Sequence, residues 1–328
     1  MLFFIVCACF ALFPAQVLWG AQSGLALCLN AVIPSLLPFM FVSSCIIKSG
    51  FSKPLGIIFS KVLTPLTGIS PIGCVCFITG ILGGYGAGAK AVLECFREGQ
   101  ITKEEAEKLL PICNNAGPLF VIGTIGISFF GDRAVGVNLF LVQALSILIC
   151  ACLFGGSFSN REETFSKGLD EYKKNKPSLG KLVTSAAVQS GSAIITACVF
   201  VITFSAVLEI FPLGRYSFLC GIAEVTRGCS ELSRYGYDAL PLISAFVAWG
   251  GLSVHFQADA LTEGSFSMKN YYIVKLAVSL IAFVITKICF NDLSLIFFAS
   301  TGVLALMLIK NFVSKHARQH GFRQQRHS

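Results

Sequence analysis

Charge is what this sequence has least of. Only 13% of its 328 residues are Asp, Glu, Lys or Arg, against 55% hydrophobic residues and 12% aromatics. Water-soluble domains carry about a quarter charged residues, so a soluble globule is excluded and lipid is required as solvent. Histidine is scarce as well, with 4 in the whole chain. The H-E-x-x-H, P-loop, G-x-S-x-G and strand-borne G-x-G-x-x-G motifs are missing, which leaves zinc-peptidase, nucleotide-binding and serine-hydrolase chemistry without a foothold. No catalytic residue is assigned, and the chain reads as a non-enzyme.

A basic stripe interleaved with aromatics is lacking outside the tail Lys310 to Ser328, so nucleic acid is not an expected partner despite a net charge of +8. Anionic lipid head groups suit that tail better. Cysteine, by contrast, is plentiful at 14. Most, including Cys7, Cys9, Cys74, Cys76, Cys150 and Cys152, lie inside apolar blocks, where they act as small hydrophobes. The C-x-C pairs have neither zinc-site spacing nor a nearby histidine, so no metal and no cofactor is expected.

What the sequence has is long apolar runs of about 18 to 25 residues, the length that crosses a ~30 Å hydrocarbon core as helix. The expected spans are Leu2 to Trp19, Gly24 to Ile47, Leu109 to Phe130, Val135 to Phe154, Leu182 to Leu208, Ala239 to Phe256, Tyr271 to Phe290 and Leu293 to Ile309. The first has no positive n-region and reads as a retained span rather than a signal peptide. Ala282 is taken as lipid-facing. Two further apolar segments, Pro54 to Ala89 and Tyr216 to Ser230, are interrupted by Gly, Pro and Thr and read as re-entrant hairpins.

Placement of positive charge orients this layout. Lys48, Lys53, Lys61, Lys90, Arg97, Lys103, Lys108, the lysines between Ser157 and Lys181, and the tail fall on one face if both hairpins return to the side they entered from. The positive-inside rule makes that face, and both termini, cytoplasmic. The expected fold class is an all-α polytopic membrane protein with about eight transmembrane helices and two re-entrant hairpins in an inverted-topology repeat. Its parts are a first span (1–23), a first repeat (24–156), a charged cytoplasmic linker (157–181), a second, inverted repeat (182–290), and a last span with basic tail (291–328). Thr102 followed by Glu104 and Glu105 reads as the start of a short surface helix.

Three constellations carry the functional reading. The run Gly83 to Lys90, with Gly84, Tyr85 and Gly88, is either a tight helix crossing through small residues or a hairpin tip whose free N–H groups face a solute beside Lys90. Asn114, Asn115, Ala116, Gly117 and Pro118 interrupt a span, and Pro118 must leave one carbonyl without its helical partner. In the second half Glu224, Thr226 and Arg227 share a broken segment, with Ser253, His255 and Gln257 along the next helix. Glu224 and Arg227, three apart, can neutralise one another or face a pathway. The expected substrate position lies between the Gly84 to Lys90 tip and the Glu224 to Arg227 segment.

At these same residues the chain resembles the sporulation integral membrane proteins of the YlbJ type, which belong with the nucleoside-recognition or Gate-domain proteins. The resemblance is carried by Pro34 to Phe39, Gly83 to Lys90, Asn114 to Thr124, Glu224 to Gly228 and Gly250 to Gln257. The type prefers proline where this chain has Gly86, a departure that loosens the hairpin tip. The resemblance implies a fold similar to concentrative nucleoside transporters, a place in the cell membrane or the membrane around the forespore, a role in spore cortex or core maturation, and movement of dipicolinate toward the forespore. The function expected is alternating-access transport of a small polar, anionic solute with an unspecified coupling ion. A non-transporting morphogenetic or sensor protein is the alternative. Expected partners are the lipid bilayer, the solute and further copies in a homo-oligomer.

Overall fold

The computed structural model describes residues 2–154, 178–210 and 217–289, and every regular element among them is a helix. The protein is an all-α, polytopic membrane protein. Five of its described helices are long and apolar enough to cross a bilayer, or six if a bent pair counts as one. The expected span Leu293 to Ile309, the tail and most of the charged linker lie outside the described residues.

Helix α14 (Met268–Cys289) shows why lipid is the solvent. Ile273, Leu276, Leu280, Val284 and Ile288 are exposed at helical spacing, whereas Tyr271, Lys275, Ser279 and Thr286 are buried. Apolar side chains point out and polar ones point in, an arrangement that water would penalise and hydrocarbon requires. Ala282 falls on the inner side and is fully buried, contrary to the lipid-facing position expected of it.

The N-terminal part departs from the expected layout. After α1 (Leu2–Leu12), α2 (Pro14–Leu27) and α3 (Ile33–Lys48) join through a π-turn at Cys28–Val32 into one run of 35 residues. The expected connector around residue 21 is therefore helix. Gly20 and Gly24 explain it, because Cβ atoms there would stand 2.6 Å from the Ser205 carbonyl oxygen and 2.8 Å from the Ile202 Cα of helix α9 (Leu179–Ile210). Polar Gln22 and Ser23 do not break a helix that another helix grips this closely.

The first broken segment holds two turns rather than one. Helices α4 (Ser52–Thr67) and α5 (Pro71–Gly83) meet at 98°. Gly68 ends the first in the left-handed region, and Ser70 caps the second by accepting from Gly73 N at 3.0 Å. The tight hairpin lies farther on, where α5 turns at Gly84-Tyr85-Gly86 into α6 (Ala87–Arg97). Its arms touch at two glycines, since a Cβ on Gly88 would lie 2.9 Å from the Gly80 Cα. The second hairpin repeats this device. In it α10 (Ser217–Ala223) turns at Glu224 into α11 (Val225–Ser233), and a Cβ on Gly228 would lie 2.2 Å from the Gly221 Cα.

Each hairpin is followed by a broken helix. The helix starting at the Thr102 cap is not a separate surface element, because α7 (Lys103–Cys113) runs straight into the membrane and stops at Asn114. The chain resumes at Pro118 and Leu119–Phe129, which is π-helical, and then returns as α8 (Arg133–Phe154). In the second half a 3₁₀ turn leads into α12 (Leu240–Trp249), which breaks at Gly250 into α13 (Gly251–Leu261) and is followed by α14. Cross-loop contacts define two ends of the bundle. Arg97 pairs with Glu263, and Glu107 accepts from Ser267 N at 2.9 Å, at one end. At the other, Tyr237 hydroxyl donates to Asp132 at 3.4 Å and stacks obliquely on Phe130. The hairpins have their bases at opposite ends and their tips inside.

Candidate functional site: two hairpin tips and two helix breaks

Pro118 has no N–H, so the carbonyl four residues earlier, that of Asn114, loses its helical donor. Lys275 supplies one instead, its Nζ lying 2.8 Å from Asn114 O and 3.2 Å from Asn115 Oδ1. Lys275 is fully buried and stands 5.9 Å from the centroid of the Tyr85 ring. Asn114 is the hub of this corner. Its Oδ1 accepts from Gly86 N at 2.7 Å, and its Nδ2 donates to the Tyr271 hydroxyl at 2.8 Å. Asn115 donates back to Ile112 O at 2.5 Å, and Gln143 of α8 closes the Ala116 carbonyl at 2.9 Å. The first tip is thus tied to the first break, with Gly84 and Gly117 so close that a Cβ on Gly117 would sit 3.0 Å from the Gly84 Cα.

The second break is closed in the same way. Tyr85 hydroxyl donates to Val247 O at 2.5 Å, and His255 Nε2 lies 2.9 Å from Trp249 O. A carbonyl only accepts, so Nε2 carries the hydrogen and Nδ1 is left without a partner. The histidine ring is boxed by Trp249, Tyr271 and Tyr272 at centroid distances of 4.1, 5.1 and 5.2 Å. Trp249 in turn donates to Ile222 O at 3.2 Å and ties the second tip to the second break.

The two tips differ where it matters. At the second, Glu224 is fully buried and its carboxylate caps α11, accepting from Thr226 N at 3.1 Å and Arg227 N at 2.6 Å. A carboxylate at a helix N-terminus satisfies otherwise orphaned N–H groups and meets the positive end of the dipole. Arg227 does not neutralise it by a side-chain pair. Its guanidinium reaches away from the tip to Ser205 O at 3.1 Å and Glu209 at 2.6 Å. The side-chain ion-pair partner of Arg227 is thus Glu209 rather than Glu224.

At the first tip the N-cap of α6 is Gly86, which has no side chain to cap with; its own N–H goes to Asn114 Oδ1 at 2.7 Å and that of Ala87 to Gly84 O at 3.2 Å. Beside it stands Gln257, whose buried Nε2 has no partner and would lie 3.3 Å from a Cβ on Gly86. Ser253, one turn earlier on α13, is buried with an unpartnered hydroxyl. A cleft bordered by Met40, Ser44, Ala87, Lys90, Glu94 and Gln189 opens next to this point. Lys90 is half-buried there and donates to Gln189 O at 3.5 Å, while Gln189 donates to Glu94.

The structure thus gathers Gly84, Tyr85, Asn114, Asn115, Gly117, His255 and Gln257 around one buried junction, with Lys90 at its cleft. Gly88 serves packing, since a Cβ there would meet the Cys113 carbonyl oxygen at 1.9 Å. Thr226 is buried in the second tip. Sequence reasoning missed Lys275, Tyr271, Gln143 and Glu209. A lysine five residues into an apolar span was the available signal for Lys275.

No family model and no solved structure matches the chain. It is similar to the sporulation integral membrane protein YlbJ of Bacillus subtilis, with 25% identity over 317 residues covering 84% of this chain and 78% of the relative. That likeness runs through most of both chains and supports a YlbJ-type assignment.

Proposed function

We propose that this protein moves a small carboxylate-bearing solute across the membrane, binding it at the glycine-capped N-terminus of α6 beside Gln257 and Ser253. The observation that carries the reading is the contrast between the tips. In one, the protein's own Glu224 carboxylate fills the helix N-terminus. In the other, the N-cap is Gly86, which brings no carboxylate of its own, and beside it stands a buried Nε2 donor that lacks a partner. Glu224 is in effect a template for the ligand its counterpart would take. The buried Lys275 amine, which forms no ion pair with any described residue, lies in the same junction and supports an anion over a neutral nucleoside when protonated.

On this reading the halves form an inverted-topology repeat, the solute lies between them, and alternating access follows from rocking one half against the other. Dipicolinate, the solute implied by the YlbJ resemblance, is the first to try, with nucleosides as neutral controls. No enzymatic step is assigned. The test is solute uptake into proteoliposomes together with thermal stability of the purified chain in each solute, since a ligand of the folded state raises its apparent stability. Dipicolinate uptake that is lost in Gln257→Leu, with the variant's own stability unchanged, supports the proposal. Stabilisation without any flux instead favours a ligand sensor, and neither effect for any carboxylate removes the anion site.

A further inference from the structure

Half-helix C-terminal ends and unwound carbonyls inside membrane proteins are sites where transporters hold an exchangeable cation, because the carbonyl dipoles converge there. In this chain the C-terminal end of α7 is met by the amine of a lysine. Lys275 Nζ is 2.8 Å from Asn114 O and 3.2 Å from Asn115 Oδ1, and the Tyr85 ring covers it at 5.9 Å. Tyr271, one turn earlier on the same face of α14, accepts from Asn114 Nδ2 at 2.8 Å and fixes the amide so that Oδ1 serves Gly86 N. The second break is treated alike, with the His255 ring nitrogen on the Trp249 carbonyl at 2.9 Å. Both sets of freed carbonyls are therefore met by side-chain nitrogens from the chain itself.

We propose that the Lys275 ammonium is a tethered replacement for an exchangeable alkali cation at the Asn114–Asn115 break, so that the protein works without sodium or potassium coupling. A covalently held cation cannot be released with the solute, so it gives the break its positive charge without letting that charge be transported. The proposal relies on the transport reading for its statement about coupling. The occupancy of the break is tested without any solute.

The experiment is thermal unfolding of the full chain in detergent, in sodium, potassium or choline chloride at matched ionic strength. The wild type should unfold at the same temperature in all three to within about 1 °C. Lys275→Ala leaves Asn114 O and Asn115 Oδ1 facing an opened space, so it should be destabilised in choline and recover by about 3 °C or more, saturably, in sodium or potassium. Lys275→Met fills the space without charge and should show no such recovery. Selective stabilisation of the wild type by one alkali ion overturns the proposal. So does a Lys275→Ala variant that is monodisperse and helical yet unfolds identically in the three salts. If Lys275→Ala does not fold in any salt, the wild type decides alone: selective stabilisation by sodium or potassium over choline overturns the proposal, and identical unfolding in the three salts upholds it.

Discussion

Arg227 and Glu209 meet at 2.6 Å across the junction between the second hairpin and helix α9, with the arginine side chain 10% exposed and the glutamate 34%. The pair anchors the hairpin to the long helix that opens the second half. Removing Glu209 leaves a guanidinium in a confined place with only the Ser205 carbonyl as partner. Glu209→Gln is expected to cost about 1–3 kcal/mol, less than a fully buried pair would because Glu209 reaches solvent. Adding Arg227→Gln should recover part of that loss, which a double-mutant cycle on thermal stability measures directly. Solute affinity should not follow the arginine, and Glu224→Gln should not compensate for its loss, because Glu224 is engaged in capping α11.

The glycine pairs set a second expectation. Cβ atoms at Gly80 and Gly88 would stand 1.7 and 1.9 Å from the Cys113 carbonyl oxygen, a backbone atom that cannot rotate away. Gly88→Ala should therefore push α6 off α7 and cost more than the roughly 1–3 kcal/mol of ordinary overpacking, visible as a lower unfolding temperature and less monodisperse protein. Gly191→Ala is the matched control. It lies within α9 with no atom within 4 Å of its Cβ position, so it should be neutral or slightly stabilising.

Orientation gives a third. Gly99 sits in the loop beside the Arg97–Glu263 pair, and Tyr235 lies at the other end of the bundle near Asp132. With the native cysteines replaced, Gly99→Cys should react with an impermeant thiol reagent from the cytoplasmic side and Tyr235→Cys from the opposite side only. Labelling of both from one side would contradict the charge-based orientation and the arrangement of the hairpins together.

The first helix break was legible because its cause is local: Asn114 to Pro118 combine proline, glycine and short polar side chains and interrupt a helix where that chemistry says it must. The second, at Gly250-Gly251, falls inside Ala239 to Phe256, which was expected as one unbroken span. The partners of those breaks were not legible. Lys275 is 161 residues from Asn114 and lies within a run apolar enough to pass as an ordinary span. Glu209 lies just past the expected span Leu182 to Leu208, so nothing in its neighbourhood announced a bond to Arg227. The reach of Gly20 and Gly24 into α9 was hidden for a similar reason, since small residues declare a close approach without naming what approaches.

The first hairpin tip rests on both halves at once. Gly84 packs on Gly117 and Gly86 donates to Asn114, which belong to its own half, whereas Tyr85 between them donates to Val247 of the other. Three consecutive residues therefore straddle the seam, and two of them hold left-handed backbone angles, with φ of 82° at Gly84 and 83° at Gly86. Any sliding of one half past the other is concentrated on the peptide units flanking Tyr85. Either the phenol lets go of Val247 before the halves part, or the tip leaves Asn114 and travels with the far side. For the carboxylate transport proposed above, the order of those two ruptures sets whether the solute leaves toward the cleft at Lys90 or toward the face that bears Tyr235.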